Sequence, residues 1–249
     1  MKDNRAKNKS SKESIENKTR INTVLTNGIN TFIFNNNNVK HNFVEHLLSE
    51  LKKNRIKYLD LDTSFRAKQK INGKNIENID LIIPKSEDLE ESFNYILSNV
   101  SNKETIIIDS INIISHLFNN KYSFSKKNKI LGYYLSLINN LSLSVNSKVI
   151  IISYWGYKKT KKTWTNKVPG GRVLLYNSNN VFSVDFEGGK FILIPLKING
   201  EESSQTNIKI NTQYPLSPRI YRNNIIETTT NIKPEAINEF GTVPERLID

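Results

Sequence analysis

Thr105-Ile106-Ile107-Ile108-Asp109 is a near-continuous apolar run that ends in a carboxylate, and Lys148-Val149-Ile150-Ile151-Ile152-Ser153 repeats the pattern further on. β-branched runs without polar alternation fit strands buried on both faces, as in a parallel sheet covered by helices. Between the two runs, Ile130, Leu131, Tyr134, Leu137, Ile138 and Leu141 recur at helical spacing and predict a long helix over residues 127–143. Upstream, TFIF (31–34) predicts a short strand, and Val39, Phe43, Leu47, Leu48 and Leu51 a helix over 39–53. RIKYLDL (55–61) and IDLII (79–83, closed by Pro84) predict two more strands. Residues 86–100 read as a helix that Ser86 can cap. Glu87, Asp88, Glu90 and Glu91 favour its first turns, and Leu89, Phe93, Ile96 and Leu97 form one face. Downstream, 181–186 and 190–198 flank Glu187-Gly188-Gly189 and predict an antiparallel hairpin at one end of the sheet. The fold class is therefore α/β: a mostly parallel central sheet flanked by helices, with an antiparallel hairpin at one end.

The composition narrows the chemistry. The chain of 249 residues has 36 Lys and Arg against 24 Asp and Glu, a formal charge of +12. It contains no Cys, which excludes disulfides, thiol nucleophiles and Cys-ligated zinc or iron–sulfur sites. Its three His do not form an HExxH pair, since no Glu follows His41. No apolar run reaches the roughly 18 residues of a membrane span, and the charged N-terminus does not suit a secretory signal. A soluble cytoplasmic protein with no membrane contact is expected.

The charge is unevenly placed. Residues 1–20 carry +4 and few apolar side chains, and are expected to be a disordered basic arm. Such an arm is either a solvated tail or a source of added attraction to nucleic acid. A core domain is expected over 21–212. From 213 to 249 the chain is polar, aperiodic and interrupted by Pro215, Pro218, Pro234 and Pro244, and reads as an extended tail.

Residues 148–172 carry seven basic side chains and no acid. Within them Trp155, Tyr157, Lys158, Lys159, Lys161, Lys162, Trp164 and Lys167, followed by Arg172, directly succeed a buried strand. Open α/β sheets place ligand sites at that end of their strands. Lysines neutralise phosphates and aromatic rings stack on bases, a combination suited to single-stranded nucleic acid rather than duplex readout. The same composition would also suit an ordinary surface loop with buried Trp anchors. Gly170-Gly171 are expected to form a tight turn into a helix or strand.

Four segments, in order, resemble the core ATPase domain of the RecA/RadA recombinase superfamily, and most nearly a short archaeal RadA-like paralogue. TFIFNNNNVKHNFVEHLLSEL (31–51) lies where that family has its P-loop. YLDLDTSFRA (58–67) looks like its second-strand motif, TIIIDSINIISHLF (105–118) like its Walker B strand, and 148–186 like its second DNA-binding loop and Gly-Gly segment. With about 20 residues ahead of the core, the family's N-terminal helical DNA-binding domain is not expected. The resemblance implies a RecA-like P-loop NTPase fold. It also implies a first DNA-binding loop near 116–129, where Lys126 and Lys127 add to the candidate DNA-binding residues.

It further implies a nucleotide site at Lys40, Asp62 and Asp109, in a degenerate form. A P-loop needs glycines so that backbone N–H groups can wrap phosphates, and a Ser or Thr to hold magnesium. Aligning Lys40 with the P-loop lysine puts Phe34 and Val39 at the glycine positions and His41 at the hydroxyl. Asp62 stands one methylene short of the family's catalytic Glu. These three residues would then be vestiges of a nucleotide site, or simply acids and a base pairing at strand ends. Arg172 would reach DNA or the former γ-phosphate position. The expectation is a pseudo-ATPase without catalytic residues, metal or cofactor, ATP and magnesium being the candidates it discounts. It would bind DNA and assist a RadA-type recombinase or another paralogue in recombination and repair. The alternatives are a protein–protein adaptor without its own DNA binding, or a weak residual ATPase.

Overall fold

The structure, a computed structural model, describes residues 20–72, 78–85, 88–117, 122–159, 164–167 and 171–212. The expected arm (1–20) and tail (213–249) therefore lie outside the described residues, apart from Arg20.

In chain order the elements are α1 (Ile21–Val24), β1 (Gly28–Phe34), α2 (Asn37–Glu50), β2 (Ile56–Asp60), α3 (Ser64–Asn72), β3 (Ile79–Ile82), α4 (Leu89–Asn99) and β4 (Thr105–Asp109). A short 3-10 turn (Ile111–Ile113) leads into α5 (Ile114–Leu117), α6 (Phe124–Ser144), β5 (Lys148–Tyr154), β6 (Gly156–Lys159) and β7 (Trp164–Lys167). α7 (Gly171–Asn177), β8 (Asn180–Glu187), β9 (Lys190–Ile198), β10 (Glu201–Glu202) and β11 (Ile208–Asn211) complete the described chain.

The main sheet runs β10-β9-β8-β1-β5-β4-β2-β3, with β11 also paired to β9. From β8 to β3 all neighbours are parallel. β9 returns antiparallel to β8 through Gly188 and Gly189, at φ 56° and 77°, the conformation a two-residue hairpin turn requires. The antiparallel end is broader than the expected hairpin because β10 and β11 add to β9.

The sheet separates two apolar layers. On one side Ile107, Ile150 and Ile152 join Phe32, Tyr58 and Phe182 of neighbouring strands in one layer with Phe43 and Leu47 of α2. Ile106, Ile108, Val149 and Ile151 face Phe93, Leu131, Leu135 and Ile138 on the other. Alternate residues of one strand thus enter opposite layers, which is why β4 and β5 read as unbroken apolar runs. Phe43 anchors the first layer, with ring centroids 4.9 Å from Phe32 and 5.3 Å from Phe34 and Phe191.

Two helices begin earlier than their apolar periodicity. α2 starts at Asn37, because the Asn36 side chain accepts the Asn38 N–H at 2.7 Å and caps the helix. α6 starts at Phe124, capped by Ser123, whose hydroxyl accepts the Lys126 N–H at 3.3 Å. Of the expected first DNA-binding loop (116–129), residues 124–129 are the opening turns of this helix rather than loop, and 118–121 lie outside the described residues. Ser86, the expected cap of the helix predicted over 86–100, lies outside the described residues, and that helix, α4, begins after Asp88.

Candidate functional site

The register aligns the C-terminal ends of the central strands. Phe34 pairs with Tyr154, and Asp60 with Asp109, so β1, β2, β4 and β5 end along one edge of the sheet. Only Asn35 and Asn36 separate β1 from α2. That short connection brings Lys40, in the first turn of α2, over the strand ends.

Lys40 is fully buried, and its ammonium is saturated with acceptors. Nζ donates to Asp109 Oδ1 at 2.9 Å and Oδ2 at 3.0 Å, to Ser64 Oγ at 2.8 Å and to Asp62 Oδ2 at 3.4 Å. The Tyr58 hydroxyl donates to Asp109 Oδ2 at 2.6 Å. The Tyr154 ring lies over Lys40 with its centroid 5.7 Å from Nζ, and its hydroxyl donates to Asn37 Oδ1 at 2.5 Å. Asp60, buried beside the cluster, accepts the Arg66 N–H at 2.9 Å and so holds the start of α3.

One ammonium thus stands between two carboxylates, Asp62 and Asp109, with the Asp60 carboxyl nearby. Burial, with Asp109 and Asp62 adding to it, pushes Asp60 up to about 6 against the bonds from Arg66 and Phe65. Burial also raises Asp109, outweighing the attraction of Lys40. Asp62 goes the other way. Burial pushes it up, but the Ser64 hydrogen bond and the Lys40 ammonium bring it below its ordinary value. His41 is lowered to about 4 by burial and by the neighbouring Lys40 and Lys68, so its imidazole is neutral at pH 7.

The structure therefore brings Lys40, Asp62 and Asp109 together, as the nucleotide-site alignment had grouped them. It adds Tyr58, Asp60, Ser64 and Tyr154, which the sequence reading did not single out. The run 55–61 predicted the strand that carries Tyr58 and Asp60, but nothing local marked Tyr58 as a partner of Asp109.

The basic stretch forms a second sheet. β6 and β7 pair antiparallel with Gly156 opposite Lys167, Tyr157 opposite Asn166, Lys158 opposite Thr165 and Lys159 opposite Trp164. Lys161 and Lys162 lie outside the described residues. The hairpin grows directly from β5, and its root is fixed. Trp155 N–H donates to the Phe34 carbonyl at 3.0 Å, and its indole N–H to Ser183 Oγ at 3.1 Å. Asn112 clamps the preceding residue, its side-chain oxygen accepting Tyr154 N–H at 2.8 Å and its amide donating to the Tyr154 carbonyl at 3.1 Å. Trp155 is half-buried and held by a hydrogen bond. Gly171 opens α7 at φ 56°, and Arg172 beside it is exposed. Lys126 is exposed on α6 with its ammonium 4.3 Å from the Tyr122 ring centroid, and Lys127 follows it in the same turn.

No protein-family model matches the chain, and no curated protein matches it in sequence. Solved structures do resemble it. The crystal structure of the RadB recombinase matches at 14% identity and a TM-score of 0.54, over 76% of this chain and 89% of that one. A second solved structure, an ATPase domain, matches at 7% identity and a TM-score of 0.50, over 76% of this chain and 86% of that chain. At such identities the likeness speaks for the architecture, and the architecture is a RecA-like fold.

Proposed function

We propose that this chain is a RecA-like paralogue that binds single-stranded DNA through the basic hairpin, serves homologous recombination and repair beside a true recombinase, and does not hydrolyse ATP. The observation that carries the reading is the position of the acid-free stretch 148–172. It leaves the sheet as the β6–β7 hairpin at the C-terminal end of β5, the edge where open α/β sheets bind ligands. Lys158, Lys159, Lys161, Lys162, Lys167 and Arg172 would neutralise phosphates, while Tyr157, Trp164 and the half-held Trp155 would offer rings to bases.

The absence of turnover is supported by the state of Lys40. Its ammonium is spent on Asp109, Ser64 and Asp62, and no glycine stands between Gly28 and Gly73 to let a loop wrap phosphates. ATP and magnesium would have to break a buried ion pair to enter. Among the described residues no cluster of His, Cys, Asp and Glu suits a metal, and no helix is long and apolar enough to cross a membrane.

A titration with single-stranded and duplex DNA at two salt concentrations, with and without ATP and magnesium, tests the reading. Tight, salt-sensitive binding of the single strand, indifferent to ATP, supports it. Magnesium-dependent ATP turnover well above background would overturn the non-catalytic half. No DNA binding at low salt would instead favour a protein–protein adaptor.

A further inference from the structure

We propose that the groove between the start of α6 and α7 is a docking site for a partner protein, which it receives as an acidic segment carrying aromatic or aliphatic anchor side chains. The proposal goes beyond the DNA reading above and does not depend on it.

The groove is open and measures about 760 Å³. Its lining is chiefly apolar, with the rings of Phe124 and Tyr176 beside Val173 and Gly132, and polar side chains such as Asn128 contribute little of the surface. Phe124 is 66% exposed and Tyr176 86%, the two most exposed large hydrophobic side chains among the described residues. Apolar groups gathered along one groove, unlike single ones scattered over a surface, mark an interaction site. The helices beneath are firmly packed. Leu174 of α7 is fully buried in the layer that holds Leu131 and Leu135 of α6. Gly132 lets the helices approach, since a Cβ there would lie 3.2 Å from Val173 Cγ1. The groove therefore stands on a rigid base, and little ordering opposes binding.

Charge selects the partner. Neither α6 nor α7 contains an Asp or Glu, and the charged residues of the lining are Lys129 and Arg172. Among the described residues neither cation has a carboxylate partner. Lys126, exposed one turn before Lys129, adds positive charge at the same helix start. A second copy presenting this face would bring the same cations and be repelled. Acids flanking an anchor would pair with Lys129 and Arg172 while the anchor leaves water among the rings. A nucleic-acid strand suits the groove less, since it brings a phosphate with every base to a lining of two cations among apolar groups.

The test selects peptides from a random-sequence display library on the full chain, then titrates the most enriched one as a synthetic peptide. Enriched sequences should be net acidic with Phe, Trp or Leu anchors. Phe124→Ala and Tyr176→Ala should each weaken binding at least about fivefold. Lys129→Glu should weaken it and reduce its salt dependence. Both ring variants should keep wild-type affinity for an oligo-dT. Matching thermal melts confirm that the variants fold, and a peptide with Asn and Gln in place of its Asp and Glu should bind the wild type more weakly. No enrichment, or enrichment of neutral or basic peptides, overturns the proposal. Acidic peptides that bind the ring variants as well as the wild type sit elsewhere and overturn it too. Ring variants that lose oligo-dT but keep the peptide would assign the groove to nucleic acid and overturn it. Peptide binding by a wild type that binds no oligo-dT would support this site and overturn the DNA reading alone.

Discussion

Lys40 on α2 and Asp109 at the end of β4 form a buried ion pair, with Nζ 2.9 Å from Oδ1 and both side chains at most 1% exposed. Residues far apart in the chain meet because β1 and β4 flank β5 in the sheet and α2 folds back over their ends.

Removing one partner of such a pair strands the other charge in the interior. Lys40→Met is expected to cost about 3–5 kcal/mol in urea denaturation, and Lys40→Met with Asp109→Asn together considerably less than the two single changes added. A Lys40 free to wait for phosphate would give a nearly silent single variant.

Asp60 sets a pH dependence of stability. Its carboxyl is raised in the fold to about 6 from 3.8, so the native state holds a proton that the unfolded chain has released. Between those values the native state binds more protons, and stability attributable to Asp60 is present at low pH and lost as pH rises through about 6. Asp60→Asn keeps an acceptor for the Arg66 N–H and removes the titration. Its urea midpoint should therefore improve relative to wild type between pH 4.5 and pH 7.5. A constant difference across that range would contradict the assignment.

Gly28 opens β1 at φ 82°, and a Cβ there would lie 2.7 Å from Asn139 Oδ1 and 2.8 Å from Asn179 Oδ1. Asn139 Oδ1 also accepts the Ile29 N–H at 3.0 Å. Gly28→Ala should cost about 1–3 kcal/mol through backbone strain and displacement of these amides. Gly188→Ala meets open space and bears only the φ penalty, so it should cost less. Paired thermal melts decide between them.

Much of this fold was legible because the sheet is covered on both faces, so that β4 and β5 announce themselves as runs of Ile and Val. The hairpin β8–β9 was legible through its Gly-Gly turn. The start of α2 was not, since Asn36 and Asn37 carry no apolar signal and Asn36 sets the start through a cap. The β6–β7 hairpin was hidden for a different reason. The pairing of Gly-Tyr-Lys-Lys with Trp-Thr-Asn-Lys shows no alternation of apolar and polar residues, so composition showed the charge without the strands. In the Lys40 cluster the alignment supplied Asp62 and Asp109. Ser64 and Tyr58 depended on side-chain reach across elements, which spacing along the chain does not encode.

The central claim is that the lysines of the hairpin hold single-stranded DNA. A fluorescence titration of the full chain with an oligo-dT, followed through Trp155 and Trp164 at about 50 and about 200 mM salt, tests it most directly. The wild type should be quenched on binding and lose affinity steeply with salt. Replacing Lys158, Lys159, Lys161 and Lys162 by Ala should abolish most binding and flatten the salt slope by about 3. Quenching with unchanged affinity and slope in that variant, or no binding by the wild type at the lower salt, would contradict the account.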